Sequence, residues 1–127
     1  MSGNDLRLAA ERAIGILVGV ASRRGTVTYT DLAKMLGMSI ESPADRAKLG
    51  VILGEVAELG FAEWGVLLPS IAVGKGENMP SGRRPDDPKG PSGFYGWCLD
   101  NGFAIGDNPW WFVVQHQAKV YRAFAGA

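Results

Sequence analysis

Val27-Thr-Tyr-Thr-Asp-Leu-Ala-Lys-Met-Leu-Gly-Met-Ser-Ile-Glu-Ser-Pro-Ala-Asp45 holds two helix starts and one helix stop. Thr28-Tyr-Thr-Asp31 fits a capping box, in which the Thr28 hydroxyl accepts from the third helical N–H and Asp31 reaches back. Ser42-Pro-Ala-Asp45 repeats the signal, with Pro43 at the first helical position, where its missing donor does no harm. Gly37 reads as a left-handed stop. The second helix is therefore predicted through Leu32, Ala33 and Leu36, and the third through Ala47, Val51, Gly54 and Ala57 to a stop at Gly60. Two capped helices joined by a few residues, with a longer helix before them, have the sequence form of a helix-turn-helix.

Upstream, Asn4 or Asp5 is the expected N-cap of the first helix. Leu6, Ala9, Ala10, Ala13, Ile14, Leu17, Val20 and Ala21 follow at helical spacing. Gly15 and Gly19 share a face and cost about 1 kcal/mol each relative to Ala. Tight packing in a small core is the expected compensation, and a dimerisation face is the other reading. Arg23, Arg24 and Gly25 close the segment.

Downstream, Val66 to Val73 is rich in β-branched residues and reads as a strand, with Pro69 at an edge or near the start because it cannot donate to a ladder. Gly, Pro and charge dominate from Gly74 to Gly93, which predicts an exposed basic loop. Phe94-Tyr-Gly-Trp97 then reads as a second strand, so that strand, loop and strand form a wing. Asp107 or Asn108 caps a closing amphipathic helix over about 108–124, with Pro109 in its first turn. Trp110, Val113, Val114, Gln117, Val120, Tyr121 and Phe124 define its core face. The expected fold is mainly α with a small β wing (α+β). It is a winged helix-turn-helix with an N-terminal helix and a C-terminal amphipathic helix, in one domain over 1–127 whose helix-turn-helix core spans about 25–73.

A chain of 127 residues, nearly half apolar, is long enough for one core. Its 13 basic and 13 acidic side chains cancel, so any contact with nucleic acid must come from a local patch. The apolar run Ala13–Ala21 is about half the ~20 residues that a membrane span needs. It also lacks the basic flank of a signal peptide, which leaves a soluble, cytoplasmic chain as the expectation. Cys98, the one cysteine, is expected as a buried small hydrophobe.

The order of these pieces resembles the C-terminal domain of the alkylguanine-DNA alkyltransferases and the alkyltransferase-like proteins. Val27-Thr-Tyr-Thr-Asp-Leu-Ala33 is similar to the family's V-x-Y-x-x-L-A. Arg46-Ala-Lys-Leu-Gly50 resembles the R-A-V-G of its recognition helix with one residue more, which turns Arg46 by about 100° relative to Gly50. Leu68-Pro-Ser-Ile-Ala-Val73 is similar to I-P-C-H-R-V, and Gly93-Phe-Tyr-Gly96 resembles the Gly/Tyr-rich turn after it. The resemblance implies that Tyr29 presses on a phosphate. It also implies that Arg46 enters the minor groove to occupy the space of a flipped nucleotide.

The family's chemistry does not carry over. Pro69-Ser70-Ile71-Ala72 puts serine where the reactive cysteine stands and apolar residues where its histidine and arginine stand. A hydroxyl without a nearby base is not a nucleophile. His116, the one histidine, is expected to face solvent on the last helix, and neither it nor Cys98 has metal-ligand spacing. The chain therefore reads as non-enzymatic, with no cofactor.

Two functions fit this pattern. The first is a DNA-binding protein, possibly a small bacterial regulator. Its third helix would lie in a groove, with contacts from Tyr29, Arg46, Lys48, Lys75, Arg83 and Arg84, and Arg23 and Arg24 near a neighbouring phosphate. The second is a winged-helix protein-interaction module with no nucleic-acid role. Glu41, Asp45, Glu55 and Glu58 on or beside the third helix favour it. So do Trp110, Trp111 and Phe112, which being adjacent cannot all face one core. DNA binding requires Arg46, Lys48, Arg83 and Arg84 to share a face from which Glu55 and Glu58 are turned away.

Overall fold

A computed structural model describes residues 2–126. The chain is mostly helical, with one two-stranded parallel sheet. In order, it runs α1 (Gly3–Ser22), β1 (Val27–Thr28), α2 (Tyr29–Met35), α3 (Pro43–Trp64), a 3-10 turn (Leu68–Ile71), β2 (Ala72–Val73), α4 (Gly93–Asp100) and α5 (Pro109–Phe124).

The caps of α2, α3 and α5 are those the sequence announces. Thr28 Oγ1 accepts from the Asp31 N–H at 3.2 Å, and Ser42 Oγ accepts from the Asp45 N–H at 3.2 Å. Asn108 Oδ1 accepts from the Trp111 N–H at 3.0 Å. The Asp45 carboxylate reaches back past the cap to the Ser39 N–H at 2.9 Å, so it braces the turn between α2 and α3. Gly37 adopts φ 76°, and the Met38 N–H closes onto the Ala33 carbonyl at 2.8 Å, which satisfies an otherwise orphaned carbonyl at the end of α2.

Several boundaries differ from expectation. The cap of α1 is Ser2, whose Oγ accepts from the Asp5 N–H at 3.1 Å, two residues before Asn4 and three before Asp5, the expected caps. Gly60 does not end α3. It is buried inside the helix, where Leu68 approaches so closely that an added Cβ would lie 3.1 Å from Leu68 Cδ1. The left-handed stop is Gly65, at φ 68°. Gly15 and Gly19 do not sit under a second helix, because added Cβ atoms there would meet open space or only the tip of Arg23.

The largest correction concerns the wing. Val66–Val73 is a 3-10 turn followed by two strand residues, and β2 pairs in parallel with β1, Val27 opposite Ala72 and Thr28 opposite Val73. Pro69 falls in the first turn of the 3-10 segment, where no donor is needed. Phe94–Trp97 is not a strand but the body of α4, which buries Tyr95 and Cys98 one turn apart. Among the described residues there is thus no antiparallel hairpin, and the segment 74–92 is a loop between β2 and α4.

That loop is closed at its neck. The Ser92 N–H donates to the Arg83 carbonyl at 3.0 Å, and the Arg83 N–H to Ser92 Oγ at 2.8 Å. Gly82 (φ 128°) and Gly93 (φ 58°) let the two strands of the neck touch. A Cβ on Gly93 would come within 2.7 Å of the Ser81 carbonyl, and one on Gly82 would collide with that of Ser92.

Two apolar clusters hold the fold. The first is aliphatic and joins α1, α2, α3, β1 and the end of α5 through Leu17, Leu32, Ile52, Val56, Leu68, Ile71 and Val120. The second lies under α4 and the start of α5 and contains Leu67, Met79, Tyr95, Cys98, Ile105, Phe112 and Val113, with Phe94, Trp97 and Phe103 against it. Gln117 of α5 ties the region between them, donating from Nε2 to the carbonyls of Ser70 (2.9 Å) and Asn78 (3.1 Å).

Candidate functional site

A cleft of about 510 Å³ opens between α3 and α4. Its α3 wall consists of Arg46, Leu49, Gly50, Leu53, Gly54 and Ala57, one face at steps of three and four. The α4 wall repeats that spacing with Gly93, Gly96, Trp97 and Asp100, and Phe94 stands beside them. Small residues on both helices leave the space open. Pro69 and Tyr29 also line the cleft, as do Ser81, Pro91 and Ser92 from the neck of the loop.

Tyr29 opens α2 and reaches across to that neck, where its hydroxyl accepts from the Ser81 N–H at 2.7 Å. Burial pushes the phenol above its ordinary 10, against the opposing pull of the Ser81 hydrogen bond. Tyr29 is therefore a neutral donor at physiological pH. Tyr95, beneath the neck, is raised chiefly by burial and is partly countered by Arg84, whose guanidinium carbon lies 5.7 Å from its ring centre.

The candidate contacts fall in several separate places. Tyr29 and Arg46 share the cleft, Arg83 forms the loop neck beside it, and Arg84 lies over Tyr95. Arg46 is exposed, and its Nη1 donates to the Ile40 carbonyl at 3.2 Å, leaving most of its donors free. Lys48 lies elsewhere, about 200° around the helix from Arg46 and on the side of Glu55, so the four cations expected on one DNA-facing surface do not share it. Glu55 itself is about 180° from Arg46 and points away from the cleft wall, whereas Glu58, about 120° from Arg46, is only about 40° from Gly54 and flanks that wall. Lys75 is exposed in the turn after β2. Arg23 and Arg24 finish α1 near α5, where the Tyr121 hydroxyl donates to the Gly25 carbonyl at 2.8 Å.

On α5, Trp110 and Trp111 are 56% and 52% exposed, while Phe112 is buried. Trp110 thus leaves the core face expected of it, which runs instead through Phe112, Val113, His116, Gln117, Val120 and Phe124. His116 is buried and not solvent-facing. It packs on Phe112 and Phe103, and burial, with Lys119 adding to it, lowers its pKa to about 4. Cys98 is a buried thiol pushed up to about 12 by desolvation. Ser70 is fully buried and its hydroxyl has no hydrogen-bond partner. Among the described residues, no group of His, Cys, Asp and Glu is placed to hold a metal ion. Nor, among the described residues, is any helix long and apolar enough to cross a membrane.

Sequence reading did not single out Phe94, Trp97, Ser81, Ser92 or Asp100 as cleft residues. The signal for the α4 set was the spacing of Gly93, Gly96, Trp97 and Asp100, legible only once that segment is known to be helical. Family models, curated proteins and solved structures were compared with the chain, and none matches it.

Proposed function

We propose that the protein binds duplex DNA without acting on it chemically, as a small regulator or recognition protein of the winged helix-turn-helix kind. In this reading α2, its turn and α3 form the helix-turn-helix, and the loop 74–92 takes the place of a wing. The observation that carries it is Arg46. It stands exposed near the start of α3, where the helix dipole is positive, on the rim of the cleft that holds Tyr29, while Glu55 points the other way. Arg83 and Arg84 add positive charge in the loop, next to Asp86 and Asp87. The resemblance to alkyltransferase-like proteins gives Arg46 the role of filling the space of a flipped nucleotide. The neighbouring cleft has the volume and the aromatic lining to receive the displaced base. With Ser70 buried behind Pro69, no alkyl transfer accompanies binding.

Fluorescence anisotropy of a labelled duplex over a salt series tests this. Binding that weakens steadily as salt rises is expected, and Arg46→Ala should cost roughly tenfold in affinity and lower the salt slope by about one, whereas Arg122→Ala changes little. Gly50→Leu places bulk in the cleft from a position with open space around its Cβ. It should weaken binding to a duplex with an unpaired base more than to a paired one. No binding at low salt, or binding indifferent to salt, overturns the reading. In that event the exposed pair Trp110 and Trp111 favours a protein-interaction module docking through α5.

A further inference from the structure

We propose that the outer face of α3 joins two copies of this chain in an antiparallel, two-fold dimer centred beside Val51. A helix packed against one core carries one apolar stripe and a polar back. The stripe of α3 runs through Leu49, Ile52, Val56, Ala57 and Gly60, yet its back is also largely apolar. Ala44, Ala47, Val51 and Ala62 are exposed there, about 160°, 100°, 140° and 160° around the axis from Arg46. Val51 is 56% exposed, more than any other large apolar residue of α3. A β-branched side chain loses rotamer freedom in a helix, so valine at an exposed helical position costs stability that packing against a partner offsets. α1 packs on one flank of α3 and α4 on the other, which leaves this face uncovered among the described residues.

The charges on this face identify the occupant as a second copy. Lys48 and Glu55 flank the apolar residues on the same side, about 200° and 180° from Arg46 and about two helical turns apart. Among the described residues neither has an ion-pair partner, the one salt bridge being Arg7 to Glu11 on α1. A two-fold axis crossing α3 between Val51 and Ile52 keeps both charges on one side of the seam and exchanges their levels. Lys48 of each copy then meets Glu55 of the other, and the two Val51 side chains pack together at the centre. Ala44, Ala47 and Ala62 are small enough to let the backbones approach. A parallel pair would carry the two sets of charges to opposite sides of the seam, so only the antiparallel order pairs them. A partner face of one sign would repel either Lys48 or Glu55. A single helix pair built on Ala and Val covers less than the roughly 1,200 Å² of a standard interface, so the dimer is weak and reversible. Arg46 and the cleft face away from this seam, and the dimer therefore stands apart from whether the protein binds DNA.

Sedimentation equilibrium of the full chain, from about 1 µM to about 1 mM, tests this. Wild type should be half dimeric at on the order of 100 µM. Val51→Glu sets two carboxylates across the axis from an exposed site, and should weaken association by at least about tenfold. Lys48→Glu and Glu55→Lys each bring like charges together, and in a symmetric dimer each substitution acts twice, for a loss of roughly tenfold. The exchange variant Lys48→Glu/Glu55→Lys restores both pairs and should return to within about threefold of wild type, a recovery that general surface effects do not produce. A monomer throughout the range overturns the proposal. So does self-association that Val51→Glu leaves intact, which places the contact elsewhere, as at Gly15 and Gly19 on α1 or Trp110 and Trp111 on α5. Failure of the exchange variant to recover overturns the antiparallel pairing.

Discussion

The two apolar clusters are built from different materials. Around Leu17, Leu32 and Ile52 the interior is almost all alkyl groups, Phe124 being its one buried ring, with no ionisable group among the buried members. Around Tyr95, Cys98 and Phe112 it is rings and sulfur, and His116 is packed into its edge. The 3-10 turn divides them, since Leu67 points into the second and Leu68 and Ile71 into the first. The aliphatic core needs only to exclude water. The aromatic one also forms the underside of the cleft wall on α4, so its packing and protonation bear on the shape of the site.

The difference can be broken most severely at Leu17. Leu17→Ala should cost about 3 kcal/mol, read as a lower urea midpoint, with little pH dependence of the loss. A cost below about 1 kcal/mol would mean that the aliphatic cluster is not the main source of stability.

His116 gives the next largest effect. Its folded pKa of about 4 lies below the ordinary 6.5, so between those values the unfolded chain binds a proton that the folded chain refuses. Stability should therefore be flat from this group above pH 6.5 and fall by about 2 kcal/mol as pH drops toward 4. His116→Leu should remove most of that slope. An unchanged slope assigns it to the carboxylates instead.

Tyr95→Phe removes the hydroxyl that donates to the Pro80 carbonyl at 3.3 Å, for a loss of about 1 kcal/mol on thermal melting. The smallest change, and one of opposite sign, is expected at Ser70. Its buried hydroxyl lacks a partner, so Ser70→Ala should be neutral or stabilising by up to about 1 kcal/mol. Destabilisation there would show that the hydroxyl is satisfied.

What was legible in the sequence was what short-range chemistry decides. Thr28, Ser42 with Pro43, Gly37, and Asn108 with Pro109 mark helix ends because cap and helix lie within a few residues of each other. The misread segments depended on distant partners. Gly60 looks like a stop, yet it is a notch for Leu68, and its neighbours stay helical because the chain does not reverse until Gly65. Val66–Val73 has strand-forming side chains, but only Val27–Thr28 lies alongside to pair with it. Phe94–Trp97 has aromatic residues suited to either state, and burial of Tyr95 and Cys98 on one side selects the helix. His116 faces the core because the buried stripe of α5 lies about 60° of phase from the face that a reading through Trp110 predicts. At the site, Tyr29 and Arg46 could be named from motif alone, whereas Asp100 and Trp97 gain meaning only from the packing of α4 against α3.

The neck at Gly82 and Gly93 makes the basic loop a cassette. Because the backbone at Ser81–Arg83 is already joined to that at Ser92–Gly93, residues between these points can lengthen, shorten or change charge while paying little for closure. The cleft on the other side of the neck need not register the change. A lineage of such chains is thus free to alter what its loop touches without redesigning what its cleft holds, so long as the two glycines stay.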